Sequence, residues 1–267
     1  MSFLESTLQG FTRALSRSLL SEQVAGQPGI LQQLDPRVRV VGIFSLVIAG
    51  VLCRRLDVII ALFVLATGIA LASRVSPASL AKRVWLVVLA FTGVIAFPAL
   101  FTTPGAPVLS LSRFVITAQG LRTALLLIFR VETAATLTTA LVLATPWTHT
   151  LKALRSLRLP AEVVTMLAMT HRYVFLLLES ANQMFESRAS RAVGRLSGAE
   201  SRGMTASTAG VLLTKSMDLS HDVYLAMLAR GFRGEIPLLT EFRLTILDYA
   251  GLLIFLFAGG LAVWIGR

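Results

Sequence analysis

Two long stretches of this chain carry no charged residue, and this constrains its fold more than any other feature. Residues 84–103 run for 20 positions without a charge, and residues 249–266 for 18. A helix of either length spans the roughly 30 Å hydrocarbon core of a bilayer. Two shorter apolar runs, 40–53 and 58–72, are separated by the polar residues 54–57, which are typical of a tight turn between helices. The chain is therefore predicted to cross a membrane several times.

Composition supports a membrane protein and argues against a nucleic-acid-binding one. Of the 267 residues, 55% are hydrophobic and only 15% are charged, whereas soluble domains carry about 25% charged residues. The net charge is +11, but most basic residues flank the apolar runs, where the positive-inside rule and anionic lipid account for them. No basic patch interleaved with aromatic residues accompanies them, so we expect the lipid bilayer, and no nucleic acid, as a partner.

We predict an all-α polytopic fold with about five transmembrane helices and long amphipathic cytoplasmic helices. The predicted parts are an amphipathic N-terminal segment at 1–35, transmembrane helices 1–4 within 36–145, a cytoplasmic block at 146–245 and a C-terminal transmembrane helix at 246–267. The first four spans are placed at about 38–53, 57–73, 84–103 and 117–145, with Pro98 kinking the third. Basic residues beside the spans place the N-terminus and the 146–245 block in the cytoplasm.

A helix predicted at about 160–195 is apolar enough to be mistaken for another span. Its polar residues Thr165, Arg172, Glu179 and Glu186 recur every seven positions and so share one helical face. We therefore interpret it as a packed or interfacial amphipathic helix. A loop is expected at 194–208, followed by a further helix at about 209–230.

Motifs for catalysis are missing from the sequence. His149, His171 and His221 are scattered, and no His-Glu-x-x-His pattern or nucleophile elbow is present. No phosphate-binding Gly-x-x-x-x-Gly-Lys-Ser/Thr loop is present either, so any ATP is hydrolysed by another chain. The single Cys53 is interpreted as a packing residue. We expect a non-catalytic protein that binds no cofactor or metal directly.

Arg130 and Glu132 are two charges inside the predicted fourth span. Intramembrane charges often mark a transport path. Because they are two residues apart, they point to different helix faces and do not pair simply with each other. We favour the alternative that they anchor the helix against its neighbours or lie near the interface.

Two long amphipathic helices end in similar arginine motifs. The first contains Arg188, Ser190, Arg191 and Ala192, and the second contains Ala229, Arg230 and Gly231. A guanidinium is a rigid fork of donors, suited to an acidic or carbonyl-lined groove on a partner. The alternative is an ordinary helix end, with a cation in the last turn and glycine in the left-handed conformation after it.

The chain resembles the transmembrane T component of energy-coupling-factor (ECF) transporters, in particular the cobalt/nickel-type CbiQ branch. The resemblance covers roughly residues 30–240. It is carried by Leu34-Asp35-Pro36-Arg37, Thr145-Pro146-Trp147, the segment from Leu154 to Pro160, the segment from His171 to Glu179, and the two arginine motifs at 188–194 and 226–234. The second motif matches the family's Ala-Arg-Gly pattern, whereas the first reads Ser-Arg-Ala.

The resemblance implies a scaffold in a bacterial cytoplasmic (inner) membrane. It would join two cytosolic ABC ATPase subunits, which hydrolyse ATP, to a separate membrane substrate-binding subunit. Family knowledge places the motif arginines in grooves on the ATPases. For the first motif, either Arg188 or Arg191 could carry this role, and we favour Arg191. The alternative function is a secondary transporter that binds its solute by itself, although no inverted repeat is visible.

Overall fold

The computed structural model describes residues 29–75, 77–103, 107–111, 114–191, 198–232 and 245–267. Most of these residues are helical. The helices are α1 Ile30–Gln33, α2 Pro36–Leu52, α3 Leu56–Ala72, α4 Pro77–Leu80, α5 Leu86–Ala96, α6 Ala99–Thr102, α7 Ala118–Ala144, α8 Trp147–Ser156, α9 Ala161–Arg191, α10 Gly198–Ala229 and α11 Ile246–Gly266, with a π-helical turn at Ala81–Trp85. The predicted all-α polytopic membrane fold is confirmed.

Two strands form a small hairpin that the sequence analysis did not anticipate. Strand β1 covers Pro107–Leu111 and pairs antiparallel with β2, Phe114–Thr117. Strand β2 leads directly into α7, where the Thr117 hydroxyl accepts the N–H of Gly120 at 3.1 Å and so caps the helix. The hairpin therefore ends where the 27-residue helix α7 begins.

Local signals explain where the apolar helices start and stop. Asp35 caps α2 by accepting the N–H of Arg37 at 2.8 Å, and Pro36 occupies the first helical position, as predicted. The third predicted span is interrupted at Pro98, since α5 ends at Ala96 and α6 starts at Ala99. At the start of α11, Thr245 and Asp248 form a reciprocal capping box.

The expected loop at 194–208 is partly wrong. Helix α10 begins at Gly198, so residues 198–208 are helical. The physical reason is composition: Ala199, Glu200, Met204 and Ala206 favour a helix, and an acidic residue in the first turn suits the positive end of the helix dipole. The glycine and serine residues of this stretch are tolerated within it. Residues 192–197 lie outside the described residues.

The described residues divide into two compact units, named here the bundle unit and the two-helix unit. The bundle unit comprises the described parts of Glu22–Ala153 and Phe242–Arg267, and the two-helix unit those of Leu154–Glu241. The predicted N-terminal amphipathic segment lies outside the described residues apart from 29–35.

Helices α2, α3, α7 and α11 build the core of the bundle unit. Ile43, Leu46, Ile59 and Leu137 are almost completely buried within it. Close approach of α2 and α11 is allowed by glycine, since a Cβ placed on Gly42 would lie 2.5 Å from Phe255 Cδ2.

Aromatic contacts fix the π-helical turn against its neighbours. The ring of Phe63 on α3 lies 5.7 Å from Trp85 and 5.5 Å from Phe129 of α7. The indole N–H of Trp85 donates to the Thr136 hydroxyl at 3.1 Å. The half-buried indole of Trp85 thus has both apolar neighbours and a partner for its single donor.

Two contacts give the alignment of α2 against α7. Arg39, near the start of α2, donates to the carbonyl of Ala144 at 3.0 Å, and Arg130 donates to the carbonyl of Cys53 at 2.6 Å. The two contacts are separated by 14 residues on each helix, in opposite chain directions, so α2 and α7 run antiparallel. Helix α7 starts at Ala118 and so continues well beyond the end of α2.

Among the described helices, three are long and apolar enough to cross a membrane. They are Ala118–Ala144, Ala161–Arg188 and Ile246–Gly266, and the shorter apolar helices Leu56–Ala72 and Leu86–Ala96 accompany them. Outward side chains of α11 are apolar, with Phe257 72% and Trp264 80% exposed, as lipid contact requires. Length and composition alone do not separate Ala161–Arg188 from a span, so its cytoplasmic placement stays a prediction.

Candidate functional site

The end of α10 is a complete Schellman motif. Gly231 has φ of +79°, in the left-handed region. Its N–H donates to the carbonyl of Leu228 at 2.9 Å, and the N–H of Phe232 donates to that of Met227 at 3.0 Å. Arg230 therefore occupies the C-cap position, with its side chain exposed. The local sequence thus stops the helix sharply and leaves one guanidinium beside the negative end of its dipole.

The two arginines of the first motif have different environments. Arg188 donates from Nη1 to the carbonyl of Met204 at 3.0 Å and from Nη2 to the Ser207 hydroxyl at 3.1 Å. Its fork is thus used inside the two-helix unit, where it ties α9 to α10. Arg191 is the last residue of α9 and is exposed. This geometry supports Arg191 over Arg188 as the residue available to a partner.

The remaining predicted site residues add little chemistry of their own. Ser190 is exposed, and its hydroxyl donates to the carbonyl of Ser187 at 2.9 Å. Ala229 is the last residue of α10 and is also exposed. Ala192 lies outside the described residues.

Cross-helix hydrogen bonds show that α9 and α10 are antiparallel. Arg188 bonds to Ser207, and the ammonium of Lys215 donates to the Ser180 hydroxyl at 3.0 Å. Ser180 lies eight residues before Arg188 on α9, and its partner Lys215 lies eight residues after Ser207 on α10. Arg191 is therefore level with about position 204, and Arg230 lies at the opposite end of the pair. At 1.5 Å per residue, the two arginine ends are roughly 40 Å apart.

An apolar groove lies between α9 and α10 on the Arg230 side of these hydrogen bonds. It has a volume of about 560 Å³, and its lining includes Met166, Tyr173, Tyr224, Met227 and Phe232. Methionine and tyrosine side chains form adaptable contact surfaces. Four polar residues of α9 recur every seven positions. Thr165 lines this groove, while Arg172, Glu179 and Glu186 are exposed.

Arg39 forms a second polar centre, which the sequence analysis missed. It is only 4% exposed and donates to the carbonyls of Leu34 and Gln32, each at 2.8 Å. It also reaches the carbonyl of Ala144 at 3.0 Å and the Thr145 hydroxyl at 3.4 Å. The guanidinium therefore satisfies the last carbonyl of α7, that of Ala144, and joins the end of this helix to the segment before α2.

Asp248 completes this centre from α11. Its Oδ1 accepts the N–H of Asp35 at 2.6 Å, and its Oδ2 accepts the N–H of Thr245 at 2.8 Å together with the Thr245 hydroxyl. We call Arg39, Asp35 and Asp248 with their partners the Arg39 cluster. The signal that could have found Asp248 is the Thr-x-x-Asp capping pattern at 245–248, just before an apolar run.

His149 on α8 lies near the Arg39 cluster and is affected by it. The pKa of His149 is below its ordinary value, chiefly because burial disfavours the imidazolium. The positive charges of Lys152 and Arg39 lower this pKa further, against the opposing influence of Asp35. His149 is therefore mainly neutral at pH 7 and adds no positive charge to the cluster.

Arg130 is anchored as expected for a structural charge. Its Nη2 donates to the carbonyl of Cys53, the C-cap of α2, at 2.6 Å. Glu132 is 4% exposed, and neither of its carboxylate oxygens has a hydrogen-bond partner among the described residues. The two side chains do not pair with each other. The described residues hold no group of three or more His, Cys, Asp or Glu side chains able to bind a metal.

Comparison with known proteins gives consistent results. The family described as CbiQ, cobalt transport protein, matches residues 28–240. The uncharacterized protein MJ1571 of Methanocaldococcus jannaschii is 29% identical over 268 residues, which are 98% of this chain and 92% of that protein. The cobalt transport protein CbiQ of Rhodobacter capsulatus is 32% identical over 191 residues, 64% of this chain and 77% of that protein.

The family match covers most of the chain and includes Arg39 and Asp35, α9, α10 and both arginine ends. It begins just before α1 and ends beyond the Schellman motif of α10. Helices α1 to α10 thus fall within one family pattern, and α11 follows it. The chain therefore belongs to the CbiQ family of cobalt transport proteins.

Proposed function

We propose that this chain is the energy-coupling transmembrane component of an ECF-type ABC importer. In this proposal, two cytosolic ABC ATPase subunits bind the two-helix unit, and a separate membrane subunit binds the solute. The chain itself is non-catalytic, and ATP is hydrolysed by its partners. The family supports cobalt as the solute, and nickel is the other candidate. We place the complex in a bacterial cytoplasmic (inner) membrane.

The observation that carries the proposal is the separation of the two arginine ends. Arg191 and Arg230 are both exposed and lie at opposite ends of an antiparallel helix pair, roughly 40 Å apart. One partner cannot easily hold both ends in a single groove. Two copies of one ATPase, related by a twofold axis, offer two equivalent grooves, one for each arginine.

The groove between α9 and α10 suits the substrate-binding subunit in this proposal. Its methionine and tyrosine lining offers an apolar contact surface between the arginine ends. Closure of the ATPase pair on ATP would draw the two helices together and change the shape of the groove. A rigid-body movement of this kind would transmit the ATP-driven change to the solute-binding subunit.

Co-expression with the two ATPase subunits and the substrate-binding subunit tests the proposal directly. We expect one stable complex to be purified in detergent, with cobalt uptake into proteoliposomes that depends on ATP. The matched control is the chain reconstituted alone, which should not take up cobalt. Uptake by the chain alone, or failure of the ATPases to co-purify with it, would contradict the proposal.

Cysteine labelling tests the cytoplasmic placement of α9. In a Cys53→Ala background, Ser190→Cys should react with a membrane-impermeant maleimide only in inside-out vesicles, because Ser190 is exposed near the end of α9, which the proposal places in the cytoplasm. Arg55→Cys is the control. Arg55 is exposed in the turn between α2 and α3, on the predicted outer face, and should react in intact cells. Labelling of residue 190 in intact cells would show that α9 crosses the membrane.

A further inference from the structure

The chain passes between the two units twice, and the Arg39 cluster binds described bundle residues before the first division and after the second. The units divide between Ala153 and Leu154, and again between Glu241 and Phe242. On the first passage, Ala144 and Thr145 contact Arg39 shortly before α8 begins. On the second, Thr245 bonds to Asp248 where α11 begins. The cluster therefore holds the chain at Ala144 and Thr145, just before α8, and at Thr245, just before α11.

The same cluster joins the ends of several bundle helices. Arg39 belongs to α2, its acceptor Ala144 ends α7, and Asp248 belongs to α11. The side chain of Gln32, whose carbonyl accepts from Arg39, donates to the carbonyl of Ser73 at the end of α3. Four long helices are thus connected at one end of the bundle through a few hydrogen bonds.

We infer that the Arg39 cluster is the junction through which movement of the two-helix unit reaches the membrane helices, and that Arg39 and Asp248 are positioning residues for transport. This inference rests on the proposed function. A flexible connection at these two passages would let the two-helix unit move without moving α7 or α11. The cluster prevents this because Arg39 spans four acceptors with one planar fork.

Charge and burial favour a rigid junction. Arg39 is 4% and Asp248 3% exposed, so their hydrogen bonds compete with little water. Hydrogen bonds to charged groups are stronger than neutral ones, and an unpaired buried charge is costly. Any displacement of α8 that pulled on Ala144 and Thr145 would therefore draw Arg39 and α2 along with it.

The test compares coupling with assembly in the complete complex. Arg39→Gln removes the fork, and Asp248→Asn removes the carboxylate that accepts from Asp35 and Thr245. The complex is reconstituted in proteoliposomes, and Co²⁺ uptake and ATP hydrolysis are measured together. We expect Co²⁺ transported per ATP hydrolysed to fall by roughly tenfold or more, the change that losing one charge-assisted hydrogen bond produces. Co-purification with the ATPases should persist, because both arginine ends are unchanged.

Arg55→Gln is the matched control, in the turn that follows α2. Arg55 pairs with Asp57 at 2.6 Å, but both side chains are more than half exposed, so the coupling ratio should stay at the wild-type value. A wild-type ratio in folded Arg39→Gln and Asp248→Asn complexes would overturn the inference. So would a loss of uptake matched by an equal loss of ATP hydrolysis or of assembly, because that result indicates a purely structural role.

Two further points keep the outcomes distinct. If Arg39→Gln does not reach the membrane, Asp248→Asn and the milder Thr245→Ala, which keeps both charges, decide the question by the same ratio. If the wild-type chain does not assemble with ATPases, the proposed function itself has failed. If the wild-type complex couples normally and all three cluster variants do too, only the junction is refuted.

Discussion

Reversing the charge at the two arginine ends should dismantle the complex with the ATPases. In the co-expression assay, Arg230→Glu and Arg191→Glu should each weaken binding of one ATPase copy, and the double variant should recover neither copy. Breaking a buried charge pair costs about 3–5 kcal/mol, which lowers affinity by roughly two to four orders of magnitude. The measurement is the amount of ATPase that co-purifies with the membrane chain in detergent.

The controls for this experiment lie on the same helices. Arg172→Glu reverses an exposed charge within α9, away from its Arg191 end, and should leave ATPase recovery unchanged. Arg188→Gln should loosen the contact with Met204 and Ser207 and so lower thermal stability more than ATPase binding. Normal assembly and transport by the double charge reversal would show that Arg191 and Arg230 are only helix-end residues.

Adding one methyl group at Gly42 should destabilise the bundle strongly. The new Cβ would lie 2.5 Å from Cδ2 and 2.7 Å from Cγ of Phe255, closer than carbon atoms can pack. Helix α2 would have to move away from α11, and overpacking of this kind costs about 1–3 kcal/mol. We expect a clearly lower apparent melting temperature for Gly42→Ala in detergent, followed by tryptophan fluorescence or size-exclusion chromatography.

Gly50→Ala is the matched control, because it lies on the same helix and nothing is within 4 Å of its added Cβ. In a helix, alanine is favoured over glycine by about 0.5–1 kcal/mol, so this variant should be as stable as the wild type or slightly more stable. Equal melting temperatures for Gly42→Ala and the wild type would show that α2 and α11 do not approach each other as closely as described.

The apolar helices were predictable because their determinants are local. The uncharged runs predicted the helices themselves, Asp35-Pro36 predicted the start of α2, and Pro98 predicted the interruption between α5 and α6. The start of α10 was less predictable, since glycine and serine near residue 198 are common both in loops and in the first turns of helices. The β1–β2 hairpin was not predicted either, because strands of five and four residues are too short to show a clear pattern of apolar and polar residues.

The sequence alone could not distinguish the environments of Arg188 and Arg191, because these depend on non-local contacts. Only the alignment of α9 with α10 shows that Arg188 faces Met204 and Ser207, whereas Arg191 is left exposed. Arg39 was missed for a related reason. An arginine near the start of an apolar span is usually explained by snorkelling to the interface, and its four acceptors come from separate parts of the sequence.

The unequal lengths of α2 and α7 have a consequence for the surrounding lipid. Asp35 meets Asp248 at one end of the α2–α11 pair, and the N–H of Arg54 meets the carbonyl of Gly266 at the other. The 18 or so residues between these contacts rise only about 27 Å, slightly less than a typical hydrocarbon core. Helix α7 extends about 18 Å further, from Arg130 back to Ala118. We therefore expect acyl chains to be compressed on the α2–α11 flank and relaxed beside α7, so that a neighbour with short hydrophobic segments sorts to the thinner side.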